Sequence, residues 1–252
     1  MPFQSMKYAK GENDMKYVFN FVLILLLVFV LLIAPKIGGL IADLFNVQSI
    51  DPDGAFMWIS IHHIAQALII MILMFFFVRF TNVQFHLGLG NRTVGLNYLK
   101  KFMMIFSIYT AIAFIMTILS GSFSPFAYPL TGRNIAGYLG FQLLLSGPSE
   151  ELIFRAFSIS LFAFLITEKR LNKHISYAVL FSSIIFGIAH ISFSFNPFSI
   201  SYSIFQVGYA IVLGYFYGDC YEKSKSVVYP MIMHSFTNVL MIGLTVILSF
   251  FL

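Results

Sequence analysis

The chain has 252 residues, 59% of them hydrophobic and only 10% charged, where soluble domains average roughly 45–50% and about 25%. A core of this size cannot hide so much apolar surface, so the remainder must face lipid; disorder, collagen and (with Cys220 the one cysteine) a disulfide scaffold are excluded too. Fifteen Lys and Arg outweigh ten Asp and Glu, but no run of them is long enough for a nucleic-acid site.

Residues 1–16 form a polar segment with three lysines, expected on the cytoplasmic side. Val18 to Ala34 is then nearly unbroken, longer than the roughly 7–15-residue core of a cleaved signal. No small-x-small site follows, so it reads as a retained transmembrane helix with Pro35 near its outer end. At about 20 apolar residues per span, the chain divides into Tyr17–Ile41, Met57–Phe80, Phe102–Ser120, Ile135–Ile166, Ile175–Phe195, Ser201–Tyr217 and Val228–Phe251. The runs show no period-2 alternation, which predicts helices and not a barrel. Residues 17–252 thus predict one all-α membrane domain, a polytopic helical bundle of about seven transmembrane helices. The connections carry turn residues: Asp51-Pro52-Asp53-Gly54, Gly88 to Gly95, Gly121 to Gly132, Asn196-Pro197 and Asp219 to Ser226. The Gly88–Lys101 stretch, with Leu87, Leu89, Val94, Leu96 and Tyr98 among polar residues, is expected along the inner interface.

With seven crossings, twelve of the fifteen Lys and Arg fall on one side: Lys7, Lys10, Lys16, Arg79, Arg92, Lys100, Lys101, Lys169, Arg170, Lys173, Lys223 and Lys225. Lys36 and Arg133 fall on the other, and Arg155 lies within a span. The positive-inside rule then puts the N-terminus in the cytoplasm and the C-terminus outside.

Ionisable groups within a span cost about 2.5–3.5 kcal/mol each on insertion scales, so they need a reason. The fourth span contains Ser149-Glu150-Glu151-Leu152-Ile153-Phe154-Arg155. Glu151 and Arg155, four apart on one face, can neutralise each other. Glu150 is rotated about 100° away and has no intrahelical partner. A lone carboxylate in lipid serves a proton, an ion or a reaction. Pro148 after Gly147 predicts a kink or break there, with Glu150 in the first turn of a new half-helix. His190 closes Phe186-Gly187-Ile188-Ala189-His190 in the fifth span, and His234 and Asn238 lie four apart in the seventh. A carboxylate and an imidazole can hold and deprotonate water, while imidazole and amide donors can stabilise an oxyanion.

Glu150-Glu151-x-x-x-Arg155, Phe186-x-x-x-His190 and His234-x-x-x-Asn238, in that order on late helices, resemble the three signature motifs of the CPBP family. This family comprises C-a-a-X proteases and bacteriocin-processing or bacteriocin-immunity membrane proteins, also called Abi proteins. The signature runs from about Ser146 to Leu240, within a core-like region at about 135–252. Leu87-Gly88-Leu89 resembles a short segment common before the family's core helices. The resemblance implies an intramembrane protease bundle with a polar cavity opening toward the cytoplasm. It implies that Glu150, with His190, binds and activates the hydrolytic water. His234 and Asn238 would stabilise the oxyanion, and Glu151 and Arg155 would support the site. One difficulty arises from the spans: His234 falls early in the seventh and His190 late in the fifth. A shifted start, a tilt or a re-entrant turn must bring them to one depth.

Two histidines and a glutamate are also a zinc ligand set, and Glu150, His190 and His234 would be the ligands. No His-Glu-x-x-His pattern is present, and the reading favoured is a metal-free glutamate protease with no cofactor. Adjacent His62 and His63, with Gln66, point about 100° apart and are expected to make interfacial hydrogen bonds. Asp43, Asp51 and Asp53 are expected to be solvated loop acids. Asp219, Tyr221 and Glu222 would cap a helix end, and Cys220, where acylation is conceivable, would be an unmodified thiol.

Three functions compete. The first is an intramembrane endopeptidase acting on a membrane-associated protein or peptide. The second is a non-proteolytic bacteriocin-immunity or cell-envelope accessory protein of the same fold. The third is a transporter or proton pathway, for which the inverted repeat of many carriers is missing. A short chain with a minimal bundle points to a bacterial cell membrane. The lipid bilayer is then the constant partner, and an exported peptide fits better than C-a-a-X maturation.

Overall fold

The computed structural model describes residues 3–195 and 198–252, which leaves the expected Asn196-Pro197 turn and the first two residues outside it. Helix α1, Phe3–Ala42, starts within the polar segment expected to precede it and carries Pro35 inside. Its Met15–Ala42 part, α2 (Met57–Phe80), α3 (Arg92–Leu119) and α9 (Val228–Leu248) are, among the described residues, the helices long and apolar enough to cross a membrane alone. Phe19, Phe21, Leu25 and Phe29 on α1, Phe75, Phe76 and Phe80 on α2 and Ile105, Ile112 and Met116 on α3 point outward. These faces account for the apolar excess, because a lipid-facing side chain needs no protein partner.

Helix α3 begins earlier than the third predicted span. Asn91 accepts the Val94 N–H at 3.1 Å, and the amphipathic Arg92–Lys101 stretch becomes the first turns of the helix instead of an interfacial loop. Gly90 permits this start: its φ is +48°, and a Cβ there would lie 2.2 Å from the Ser224 carbonyl oxygen.

The fourth predicted span is a single rod in five pieces: α4 (Gly132–Phe141), a π-helical stretch (Gln142–Ser146), α5 (Gly147–Glu151), a second π stretch (Leu152–Phe157) and α6 (Ser158–Leu165). The expected break at Pro148 does not occur. Proline has no N–H to give the preceding turn, and the wider π turns on either side take up the mismatch without ending the helix.

The fifth predicted span, Ile175–Phe195, is corrected most. Helix α7 covers only Tyr177–Ile188, and the chain then forms a hairpin of β1 (Ser192–Phe195) and β2 (Phe198–Ser201) before α8 (Ile204–Ser224). Ser192 pairs with Ser201 and Phe193 with Ile200. The Ser-Phe-Ser-Phe and Phe-Ser-Ile-Ser runs alternate polar and apolar with period 2, the strand signal, in a stretch whose composition alone reads as helix.

Three loops meet at one end of the bundle. Asn91 N–H reaches the Ser224 carbonyl at 2.7 Å, Val227 N–H the His86 carbonyl at 3.0 Å, and Arg170 the Glu222 carboxylate at 3.1 Å. At the other end Asn134 donates to Asp53 at 3.0 Å, and Phe126 N–H to the Ser249 hydroxyl at 2.8 Å. The ends of α2, the rod and α8 thus lie together at the first end, and the starts of α2 and the rod lie with the end of α9 at the second. Asp51 is not a solvated acid. It is 2% exposed and caps α2, accepting from Ala55, Phe56 and Met57 at 2.9, 2.7 and 2.8 Å. Burial works against its charge, but these three N–H groups, with Arg133 nearby, outweigh it and hold the carboxyl below its usual range. Asp219 is also buried, between the Tyr98 hydroxyl at 2.9 Å and Lys223 at 2.6 Å, and Cys220 is fully enclosed, which removes it from acylation.

Candidate active site

The site is built around the middle of the rod. Gly147 sets the distance to α9: a Cβ there would lie 2.8 Å from the backbone nitrogen of Ser235 and 3.2 Å from Cβ of His234. Because no side chain intervenes, α9 lies directly on α5. His234 is thereby brought against the two glutamates, and Asn238 donates to the Ser146 hydroxyl at 3.0 Å. Gly147→Ala must push α9 back, and overpacking of this kind costs about 1–3 kcal/mol. Lower thermal stability in detergent, together with lost function, is the expected result; a variant with both unchanged would show that the close approach is not needed.

Glu151 and Arg155 are fully buried, with Arg155 Nε 3.0 Å from Glu151 Oε2 as their spacing predicts. The guanidinium lies over the rings of Phe186 at 4.5 Å and Tyr217 at 5.4 Å. Its terminal nitrogens have no hydrogen-bond acceptor among the described residues, so the aromatic faces and Glu151 carry its charge. Glu151 Oε1 takes the second role, facing Nδ1 of His234 at 2.9 Å. With that Nδ1–H given to the carboxylate, Nε2 of a neutral His234 is an acceptor. It lies 3.8 Å from Glu150 Oε2. The imidazole is held by stacking on Tyr217, centroids 5.1 Å apart, whose hydroxyl meets Thr237 at 2.7 Å.

Glu150 differs from its neighbour in being open: its side chain is 19% exposed, against 0% for Glu151. Its partners come from other helices. His190 lies two residues beyond the end of α7, with Nδ1 2.8 Å from the Phe186 carbonyl. The Phe186 ring contacts His190 at 4.8 Å and His234 at 5.8 Å, so a single side chain separates the two imidazoles. The two histidines meet because α7 ends early, and His190, in the turn after it, shares the Phe186 ring with His234. The residue that sequence reasoning missed is His63 on α2. It is buried, not interfacial, with Nδ1 2.6 Å from the Ser149 hydroxyl and Nε2 4.0 Å from Glu150 Oε1. The available signal was Gln66 at i+3 on an otherwise apolar helix, a polar pair sharing one face.

The metal reading can be set against these positions. His190 and His234 each have Nδ1 on an oxygen acceptor, the arrangement a metal-ligating histidine requires. However, among the described residues no three His, Cys, Asp or Glu side chains converge closely enough to hold an ion. The donors are suited in kind but not in placement. The polar residues pack as a cluster. The cavity of about 670 Å³ between α3 and α8 is lined by Phe102, Tyr109, Tyr209 and other apolar groups, and includes none of them.

A helical membrane protein with two carboxylates, three imidazoles and an amide packed at mid-bundle is thus defined. Residues 132–240 match the family model of the type II CAAX prenyl endopeptidases, Rce1-like, and all three motifs lie inside that segment. The resemblance to the CPBP and CAAX proteases is therefore shown over this part of an integral membrane protein. Neither a curated protein nor a solved structure matches the chain.

Proposed function

We propose that the protein is an intramembrane endopeptidase that hydrolyses a peptide bond in a membrane-associated protein or peptide. The observation that carries this reading is the pairing of an accessible carboxylate, Glu150, with a sealed one, Glu151, that fixes the adjacent imidazole. A water beside Glu150 gives its proton to the carboxylate, and its oxygen adds to the substrate carbonyl. His190, with Nδ1 committed to the Phe186 carbonyl, presents Nε2 to accept that water's other hydrogen. Asn238 uses one amide N–H on Ser146 and has another for the oxyanion. The proton then passes from Glu150 to the leaving amine as the C–N bond breaks. Glu151 and Arg155 stay outside the proton traffic. The test is a comparison of membrane peptide products in cells carrying wild-type or Glu150→Ala protein. Products that depend on Glu150 support the reading, and identical profiles favour the accessory-protein alternative.

In this reading the end that gathers the 81–91, 166–176 and 225–227 loops faces the cytoplasm, with the N-terminus inside and the C-terminus outside. It is the end rich in Lys and Arg. Reporter fusions after Leu252 should be active only outside the cytoplasm; fusions active inside would reverse the assignment.

A further inference from the structure

His63 and His234 lie 4.0 and 3.8 Å from Glu150, with His190 near enough to act on it electrostatically, but the three imidazoles do not present the same face. His234 gives Nδ1–H to Glu151, and His190 gives Nδ1–H to the Phe186 carbonyl, so each keeps an acceptor Nε2 when neutral. His63 is held the other way round. The Gln66 amide nitrogen, a donor, lies 3.0 Å from His63 Nδ1 and 3.1 Å from the Ser149 hydroxyl. An Nδ1 that accepts from Gln66 leaves the ring proton on Nε2, which faces Glu150 Oε1 at 4.0 Å. The ring cannot easily turn: it is 7% exposed, and the edge of Phe141 packs against it at 4.9 Å. A buried imidazole with two side chains on its Nδ1 and its Nε2 aimed at the accessible carboxylate is more than packing requires.

We infer that His63 is a positioning residue for hydrolysis, whose Nε2–H, through one bridging water, anchors Oε1 of Glu150 and leaves Oε2 to take the proton. The inference rests on the reading of Glu150 as the base. It adds a group from α2, outside the 132–240 segment that matches the protease family. Ser149 and Gln66 serve it by setting the tautomer. The site is therefore completed only when the N-terminal helices pack against the rod, which gives α2 a function beyond spanning the membrane.

The experiment compares His63→Leu, His63→Gln, Gln66→Met and Glu150→Gln in the full-length protein. Cleavage is measured on an internally quenched, prenylated C-a-a-X peptide and on the membrane peptide products that wild type generates. His63→Leu should lower kcat about 100-fold with KM nearly unchanged, the size of effect expected for a lost preorganised donor. A glutamine amide reaches as far as the imidazole Nε2 and keeps an N–H there, so His63→Gln should recover activity to within about tenfold of wild type. Gln66→Met, which frees the tautomer, should fall between them. Thermal stability in detergent is followed for all four. If His63→Leu and His63→Gln lose activity equally, or lose it only in proportion to folded protein, His63 is structural and the inference fails. It also fails if His63→Leu cleaves normally while Glu150→Gln is dead, with the protease reading left standing. If no product in either assay depends on Glu150, both fall together.

Discussion

Glu150→Gln should abolish cleavage, with kcat falling by about three orders of magnitude or more, within the range that general acid–base groups supply. The substitution keeps the size of the side chain and its capacity to hydrogen-bond between His63 and His234, 4.0 and 3.8 Å away. It removes only the basicity needed to take a proton from water. Because the side chain is partly open and makes no ion pair with Arg155, neutralising it leaves no stranded charge, and abundance and thermal stability should stay near wild type. The measurement is turnover of the same membrane peptide products, normalised to folded protein. Wild-type turnover by Glu150→Gln would end the peptidase reading of this site, and a biological role that survives the change intact would move the weight to an accessory protein.

The helical membrane class was legible because composition and run length report directly on lipid exposure, and the Glu151–Arg155 pair because i,i+4 spacing is local geometry. The expectation that Glu150, His190, His234 and Asn238 share one site followed from a motif resemblance, not from the spans, which put the two histidines at different depths. What reconciles them is the early end of α7 and the hairpin after it, whose period-2 signal is only four residues per strand and sits between apolar helices. His63 was hidden for a different reason. It lies 87 residues before Glu150 and beside a second histidine, and only the packing of α2 on the rod distinguishes the buried ring from its neighbour. Asp51 was read from its loop composition, which does not reveal that three backbone N–H groups of the next helix turn back onto its carboxylate. Pro148 was read as a kink or break because proline removes a backbone hydrogen bond and crowds the turn before it, whereas π turns on both sides, with tertiary contacts along the rod, let the helix continue without a break.

Glu151→Gln should behave unlike its neighbour, with loss of folded protein as the leading symptom. The change leaves Arg155, fully enclosed, with only the faces of Phe186 and Tyr217 against its charge. Removing one partner of a buried pair costs about 3–5 kcal/mol, a large share of the stability of a domain. Arg155→Met should be comparably harmful, since it leaves a buried carboxylate with His234 as its remaining partner. Glu151→Gln combined with Arg155→Met removes both charges at similar volume and should recover a substantial part of the loss, because the two effects share one interaction. Recovery of stability need not bring back cleavage. His234 would then face a neutral amide in place of the carboxylate that receives its Nδ1–H, so the double variant should be folded but slow. Abundance in membranes, thermal denaturation in detergent and turnover, measured side by side for the three variants, separate the two contributions. Additive losses in the double variant would show that Glu151 and Arg155 do not stabilise the bundle as a pair. A Glu151→Gln protein that is abundant, stable and inactive would exchange the roles of the two glutamates, making Glu151 the base and Glu150 its support.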